Sequence, residues 1–235
     1  MSDNRPVGFF DSGIGGTCIL KAFQVLCPNE RTIYLADTEH CPYGNRPADE
    51  IVRLSEANVK KLLAQDCKMI VVACNTATAA AIDYLRASYP RIPFIGLEPA
   101  VKPAALQSKT GVVAVLATAG TFNGRLYNET KARFAKDVTV IAAVADEFVT
   151  LVESLGRGEV SLTDDSARRI VEEKIRPLVA SGADHLVLGC THFPHLKPLI
   201  EEIAGPAVTV LDPSPAVAAQ ARRVLAARGL LADVV

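Results

Sequence analysis

Two cysteines stand where a proton could be moved. Met69-Ile70-Val71-Val72-Ala73-Cys74-Asn75-Thr76 is an apolar run ending in Cys, Asn and Thr, and His185-Leu186-Val187-Leu188-Gly189-Cys190-Thr191-His192 repeats that plan. A thiol between a buried strand and the start of a helix feels the positive end of the helix dipole, which favours the thiolate. Two such thiols facing each other can remove a proton from one face of a carbon and return one to the opposite face. That inverts a stereocentre, reversibly and symmetrically. Each thiol needs a helper. Asp11, closing the run Val7–Asp11, could serve Cys74, and His192, two residues beyond, could serve Cys190. Of the six cysteines, the other four (Cys18, Cys27, Cys41 and Cys67) have no acid, base or second Cys at a telling spacing, and read as small buried hydrophobes.

Further polar residues follow the same kind of run: Asp11-Ser12-Gly13, Asp37-Thr38 with Tyr43-Gly44 soon after, Asn75-Thr76, Thr118 with Thr121, and Thr191. One such end alone would read as a helix cap. Together they make a pocket for a small polar, anionic molecule, because hydroxyls, helix N-termini and glycine-turn N–H groups all bind carboxylates. No Arg or Lys sits at these ends, so neutral donors would hold the anion.

Such residues can converge only if parallel strands bring them to one edge. Short β-branched runs do alternate with helical periodicity. The strands read as Val7–Asp11, Thr32–Asp37, Met69–Cys74, Pro93–Glu98, Gly111–Thr118, Val138–Ala145, Asp184–Cys190 and Val208–Asp212. The helices read as Ala48–Gln65, Thr76–Ser88, Ala119–Phe134, Ser161–Ala180 and Phe193–Ile203. Pro47 suits a first helical turn, Ser161 with Asp164 resembles a capping box, and Gly111 and Gly182 punctuate a strand entry and a helix exit. The alternation predicts an α/β protein with helices on both faces of parallel sheets. The two Cys-ending runs, and the likeness of Val7–Gly13 to Val113–Gly120, predict two similar α/β lobes with the ligand in the cleft between them.

Composition narrows the class. With 235 residues, 49% hydrophobic and 22% charged, the chain has ample material for a core and is not disordered. A net charge of −1 gives no basic excess for nucleic acid or an anionic membrane surface. The apolar stretches are strand-sized, so no membrane span is expected. The opening Met1-Ser2-Asp3-Asn4-Arg5-Pro6 lacks the apolar core of a signal peptide, and the scattered cysteines without C-x-x-C suit free thiols in the cytoplasm.

Three rival readings compete with proton transfer. Asp11-Ser12-Gly13-Ile14-Gly15-Gly16-Thr17-Cys18, with Asp37 further on, partly matches a dinucleotide fingerprint and so a nicotinamide-dependent dehydrogenase. Cys18 replaces its third glycine, however, and Asp11 would meet the pyrophosphate with like charge. Cys190, His192 and His195 could hold a metal, but no second close ligand pair exists. A non-catalytic module binding small acids would leave the paired thiols unexplained. No cofactor and no metal are therefore expected.

Phe10-Asp11-Ser12-Gly13-Ile14-Gly15-Gly16, Pro42-Tyr43-Gly44, Val72-Ala73-Cys74-Asn75-Thr76-Ala77-Thr78 and Leu188-Gly189-Cys190-Thr191-His192-Phe193-Pro194 closely resemble the glutamate racemases of the aspartate/glutamate racemase family, in order from about Val7 to Asp212. The resemblance implies cofactor-independent racemisation of glutamate, D-glutamate for peptidoglycan, hence a part in cell-wall biogenesis and cell shape, and a homodimer. It implies a first lobe of residues 1–98 plus about 208–235, carrying Cys74, and a second of about 99–207, carrying Cys190. Cys74 is then expected to act on D-glutamate and Cys190 on L-glutamate, assisted by Asp11 and His192 respectively. Substrate contacts fall on Asp11, Ser12, Tyr43, Gly44, Asn75, Thr76, Thr118, Thr121, Thr191 and His192, and a further catalytic acid on Glu153. The chain departs from the family at Ala145-Asp146 and Thr150, where many members carry Cys-Pro and Pro. Aspartate racemases share the two-thiol plan, and basic residues gripping the side-chain carboxylate are expected of them; none is seen at these strand ends.

Overall fold

Eight short strands build two separate four-stranded parallel sheets with the same internal order. In the computed structural model, which describes residues 3–233, the first sheet contains β1 (Val7–Asp11), β2 (Thr32–Ala36), β3 (Met69–Val72) and β4 (Phe94–Ile95), ordered β2-β1-β3-β4. The second contains β5 (Val112–Ala117), β6 (Thr139–Val144), β7 (His185–Leu188) and β8 (Thr209–Leu211), ordered β6-β5-β7-β8. Residues 1, 2, 234 and 235, included in the expected bounds of the first lobe, lie outside the described residues.

The strands are central because they are apolar on both faces. Met69, Ile70, Val71 and Val72 are all fully buried, as are Leu186, Val187 and Leu188. Burying each such side chain contributes about 1.5–3 kcal/mol, so a charged substitution at Val71 or Val187 would unfold its lobe. Each sheet has a core on either face. Helices α1 (Thr17–Leu26) and α10 (Ser214–Ala227) cover one face of the first sheet, and α2 (Ala48–Leu63) and α3 (Asn75–Ser88) cover the other. Helices α4 (Val101–Gln107) and α6 (Arg125–Phe134) cover one face of the second sheet. Its other face carries α7 (Asp146–Gly156), α8 (Asp165–Ala180) and α9 (Lys197–Ala204). A short helix, α5 (Ala119–Phe122), follows β5 directly.

The return to the first lobe comes later than about residue 208. β8 pairs with β7 through Leu211, and the chain crosses over only before α10, where Val217, Ala221 and Leu225 pack with Phe9 and Phe23. Within the first lobe Lys68 and Glu30 form a buried ion pair at 2.6 Å. Glu30 also accepts the Ala232 N–H at 2.8 Å.

Several local expectations are corrected. The segment Ala119–Phe134 is two helices, because Asn123-Gly124 interrupts it. Pro47 caps α2 in an extended conformation and lies outside its first turn. Asp164 caps α8 in place of Ser161, although its carboxylate does accept the Ser161 N–H at 2.8 Å. Phe193–Leu196 is a tight 3-10 turn ahead of α9. Gly111 and Gly182 have φ of 72° and 86°, which explains glycine at both punctuation points.

Candidate active site

In each sheet the first strand sends its chain to one side and receives the third strand on the other. The gap between their carboxyl ends is the switch point where open α/β sheets bind ligands. Asp11 and Cys74 end or follow β1 and β3, and Thr118 and Cys190 follow β5 and β7. The two cysteines therefore occupy equivalent positions, and both line one small cavity.

Ser12, Tyr43, Gly44, Asn75, Thr76, Thr118, Thr191 and His192 line the same cavity. Asp11, Thr121 and Glu153 do not reach its wall. Thr121 stands behind it in a chain of hydroxyls, with Thr76 Oγ1 2.9 Å from Thr118 Oγ1 and Thr118 Oγ1 3.1 Å from Thr121 Oγ1. Tyr43 lines the cavity, but its hydroxyl donates to Asp37 Oδ2 at 2.5 Å and accepts from Asn58. Asp37, read as a pocket residue, serves that network instead, with His40 Nδ1 2.8 Å from its other oxygen. Asn75 is 3% exposed, and neither atom of its amide has a hydrogen-bond partner. Buried amides are ordinarily satisfied, and this one lines the cavity, free to meet whatever occupies it.

On the first-lobe side, Asp11 is fully buried. Its Oδ1 accepts the Ser12 N–H at 2.7 Å, and its Oδ2 accepts the Gly16 N–H at 2.6 Å and the Thr191 hydroxyl at 3.1 Å. The anion seat ahead of α1 is thus filled by the protein's own carboxylate. A pyrophosphate has no place there, which removes the dinucleotide reading. Burial pushes the Asp11 carboxyl up from its ordinary range, against the pull of His192 and the backbone donors. Cys74 caps α3 and accepts the Ala77 N–H at 3.4 Å, with Ser12 Oγ 3.9 Å away. The expected lowering of this thiol by the helix start does not prevail. Burial, with the Asp11 carboxylate beside it, pushes Cys74 well above the ordinary thiol range.

On the second-lobe side, Cys190 Sγ lies 3.8 Å from His192 Nδ1. The other ring nitrogen, Nε2, lies 2.7 Å from Glu153 Oε1, and that oxygen also accepts the Ile14 N–H at 2.9 Å. Burial alone would lower His192, but hydrogen bonds with Cys190, Cys41 and Glu153 overcome it and hold the imidazole well above its ordinary range. Glu153 is held below the usual carboxylate range, its partial burial outweighed by His192 and the Ile14 N–H. His195 turns away from this group, its Nε2 3.2 Å from the Gly15 carbonyl and 3.4 Å from Thr17 Oγ1. Cys190, His192 and His195 therefore do not form the metal site that their spacing suggests. Sequence reasoning passes over Cys41 and Val149. Cys41 lies beside Glu153 and His192, and Val149 supplies an apolar cavity wall. The only signal for Cys41 is its place two residues before Tyr43.

Residues 18–221 match the family model described as Asp/Glu/Hydantoin racemase. A protein of Herpetosiphon aurantiacus named glutamate racemase is 48% identical over 97% of this chain and 87% of its own. One of the same name from Roseiflexus is 43% identical over 100% of this chain and 85% of its own. The crystal structure of Escherichia coli glutamate racemase, in complex with L-glutamate and the activator UDP-MurNAc-ala, superimposes with a TM-score of 0.85. It is 34% identical and covers 94% of this chain and 83% of that one.

Proposed function

The chain belongs to the Asp/Glu/hydantoin racemase family, and we propose that it interconverts L- and D-glutamate through Cys74 and Cys190, without a cofactor. It is an amino-acid racemase, an isomerase. The observation that carries the mechanism is the equivalent placement of the two thiols at the switch points of two like-ordered sheets, lining one cavity.

With L-glutamate bound, the Cys190 thiolate removes the Cα proton. The His192 imidazolium 3.8 Å from its sulfur attracts the thiolate electrostatically. The flattened carbanion then takes a proton from the Cys74 thiol on the opposite face, and D-glutamate results. Cys74 is poised as the donor because burial keeps it protonated. In the reverse direction Asp11 accepts the Cys74 proton, a role suited to a buried carboxyl whose affinity for protons is raised. Asn75, Thr76, Thr118, Thr191 and the turn at Tyr43-Gly44 hold the substrate's carboxylates and ammonium. No Lys or Arg lines the cavity, which suits neutral-donor binding of glutamate rather than a basic grip on aspartate.

The decisive experiment is incubation with L-glutamate, L-aspartate and L-alanine in D2O, following chirality and Cα exchange by NMR. Inversion of glutamate alone supports the reading; no inversion and no exchange with any of them overturns it. The same reading makes D-glutamate for peptidoglycan and cell shape the product's use, a homodimer the assembly and the cytoplasm the location. The free state of all six cysteines suits a reducing compartment, and no helix among the described residues is long and apolar enough to cross a membrane. Rescue of a D-glutamate-requiring bacterial strain and sedimentation of the pure protein test the first two.

A further inference from the structure

Cys41 Sγ, a Glu153 carboxylate oxygen and a ring nitrogen of His192 all lie within 4.8 Å of one another. Proton transfer uses His192 and Glu153 but leaves Cys41 unexplained. Cys41 and Glu153 also line a second cavity, with about 940 Å³ of empty space continuous with solvent, beside Thr38, Thr150 and Arg157. Gly13 leaves this corner clear: a Cβ there would fall 1.9 Å from Glu153 Oε1 and 3.1 Å from Cys41 Sγ. Thiolate, imidazole and carboxylate together are the donor set of zinc, whereas magnesium would find one suitable ligand.

We propose that Cys41, Glu153 and His192 form an inhibitory site for a zinc-type divalent cation, with solvent from the second cavity in the fourth position. Zinc bonds of about 2.0–2.3 Å set tetrahedral ligands roughly 3.3–3.6 Å apart, the scale of this cluster. The 2.7 Å contact between His192 Nε2 and Glu153 Oε1 opens by about half an ångström as the ion replaces the proton between them. Binding releases that proton and the Cys41 thiol proton to solvent, and nothing is oxidised or reduced. With the metal on Nε2, the Nδ1 proton still faces Cys190, but His192 can no longer take up or release a proton through Nε2 as the thiol changes charge. The inhibition rests on the racemase reading; the binding does not.

The test uses chelator-treated, desalted protein with Co2+ as a spectroscopic probe and Zn2+ in calorimetry. The expected result is one ion per chain, a near-ultraviolet thiolate-to-cobalt band, displacement by Zn2+ and no competition from Mg2+. Cys41→Ala should abolish the band and weaken Zn2+ binding at least about tenfold, whereas Cys74→Ala should keep both. Absence of binding, a band that survives Cys41→Ala, or a band lost in Cys74→Ala overturns the site. Racemisation by the wild type should fall at least about tenfold with Zn2+ and return with chelator. In Cys41→Ala the ratio of rates with and without Zn2+ should stay near one. Binding at Cys41 with undiminished turnover overturns the inhibitory role. A metal-free protein that racemises nothing while still binding cobalt overturns the racemase reading alone.

Discussion

Glu153 Oε1 stands 2.7 Å from His192 Nε2, and the same oxygen accepts the Ile14 N–H at 2.9 Å. One atom of α7 thus fixes a histidine beside the second thiol and grips the loop after β1 of the other lobe. With Nε2 bonded to the carboxylate, Nδ1 is left facing Cys190 at 3.8 Å. Glu153 does not line the cavity shared by Cys74 and Cys190, so in the proposed mechanism it acts through His192.

Glu153→Gln should therefore lower kcat in the L-to-D direction about ten- to a hundredfold while changing KM little. The pair also gives a pH signature. His192 is raised above its ordinary 6.5, so its contribution to stability is full below 6.5 and is lost as pH rises through its folded value. Glu153 is held below its ordinary 4.5, so its contribution is full above 4.5 and is lost as pH falls through its folded value. Melting curves of wild type and Glu153→Gln should differ most between pH 4.5 and 6.5 and converge on either side. A difference that does not vary with pH would contradict the ion pair.

Gly13→Ala should reproduce the kinetic defect of Glu153→Gln in an otherwise folded protein. The added Cβ would fall 1.9 Å from Glu153 Oε1, so the carboxylate must leave both Ile14 and His192. The obstructing atom is the end of a flexible side chain, which can move without disturbing the strands. Parallel kcat measurements and circular dichroism check this. Wild-type turnover in Gly13→Ala would mean that the pair is not needed.

The sheets are legible in the sequence because a parallel strand covered on both faces must be apolar almost throughout. Met69–Val72 and His185–Leu188 are buried at every position, and their apolar runs alone mark them as strands. The polar residues after them are legible for the complementary reason that a core has no use for Cys-Asn-Thr at 74–76 or Cys-Thr-His at 190–192. Direction is not legible. The hydroxyl of Tyr43 turns to Asp37, a contact set by Asn58 of α2, which no local pattern connects to either residue. The sign of the Cys74 shift is misread because the sequence shows the helix start but neither the depth of burial nor the adjacent carboxylate. Cys41 gains a context only where α7 brings Glu153 beside it.

Asp11→Asn should be costly twice. The carboxylate accepts two backbone N–H groups and the Thr191 hydroxyl, and an amide would turn a donor toward donors. Leaving such buried groups unsatisfied costs about 1–3 kcal/mol, visible as a lower denaturation midpoint. The lost acceptor for the Cys74 proton should lower kcat in the D-to-L direction about a hundredfold or more. Equal turnover in that direction would remove Asp11 from the mechanism.

Asn75→Leu should behave differently in its two readouts. The buried amide has no partner among the described side chains and backbone, so an apolar replacement of similar shape should stabilise the fold or leave it unchanged. If the substrate is the missing partner, KM should rise about tenfold or more. A folded variant with unchanged KM would show that Asn75 binds nothing.

Cys74 and Cys190 provide the strictest test, because inversion needs an acid and a base on opposite faces. Serine keeps the shape of either side chain but is a far weaker base. Cys74→Ser and Cys190→Ser should each lose racemisation in both directions, by about 10²–10⁴-fold. Exchange is a different matter. In D2O, Cys74→Ser should still wash out the Cα proton of L-glutamate, the enantiomer presented to the intact Cys190. Cys190→Ser should do so only for D-glutamate. This enantiomer-specific exchange distinguishes two bases on two faces from a single base with a mobile substrate, which would exchange both enantiomers or neither. If either mutant racemises at the wild-type rate, or exchanges both enantiomers alike, the two lobes do not supply one base each.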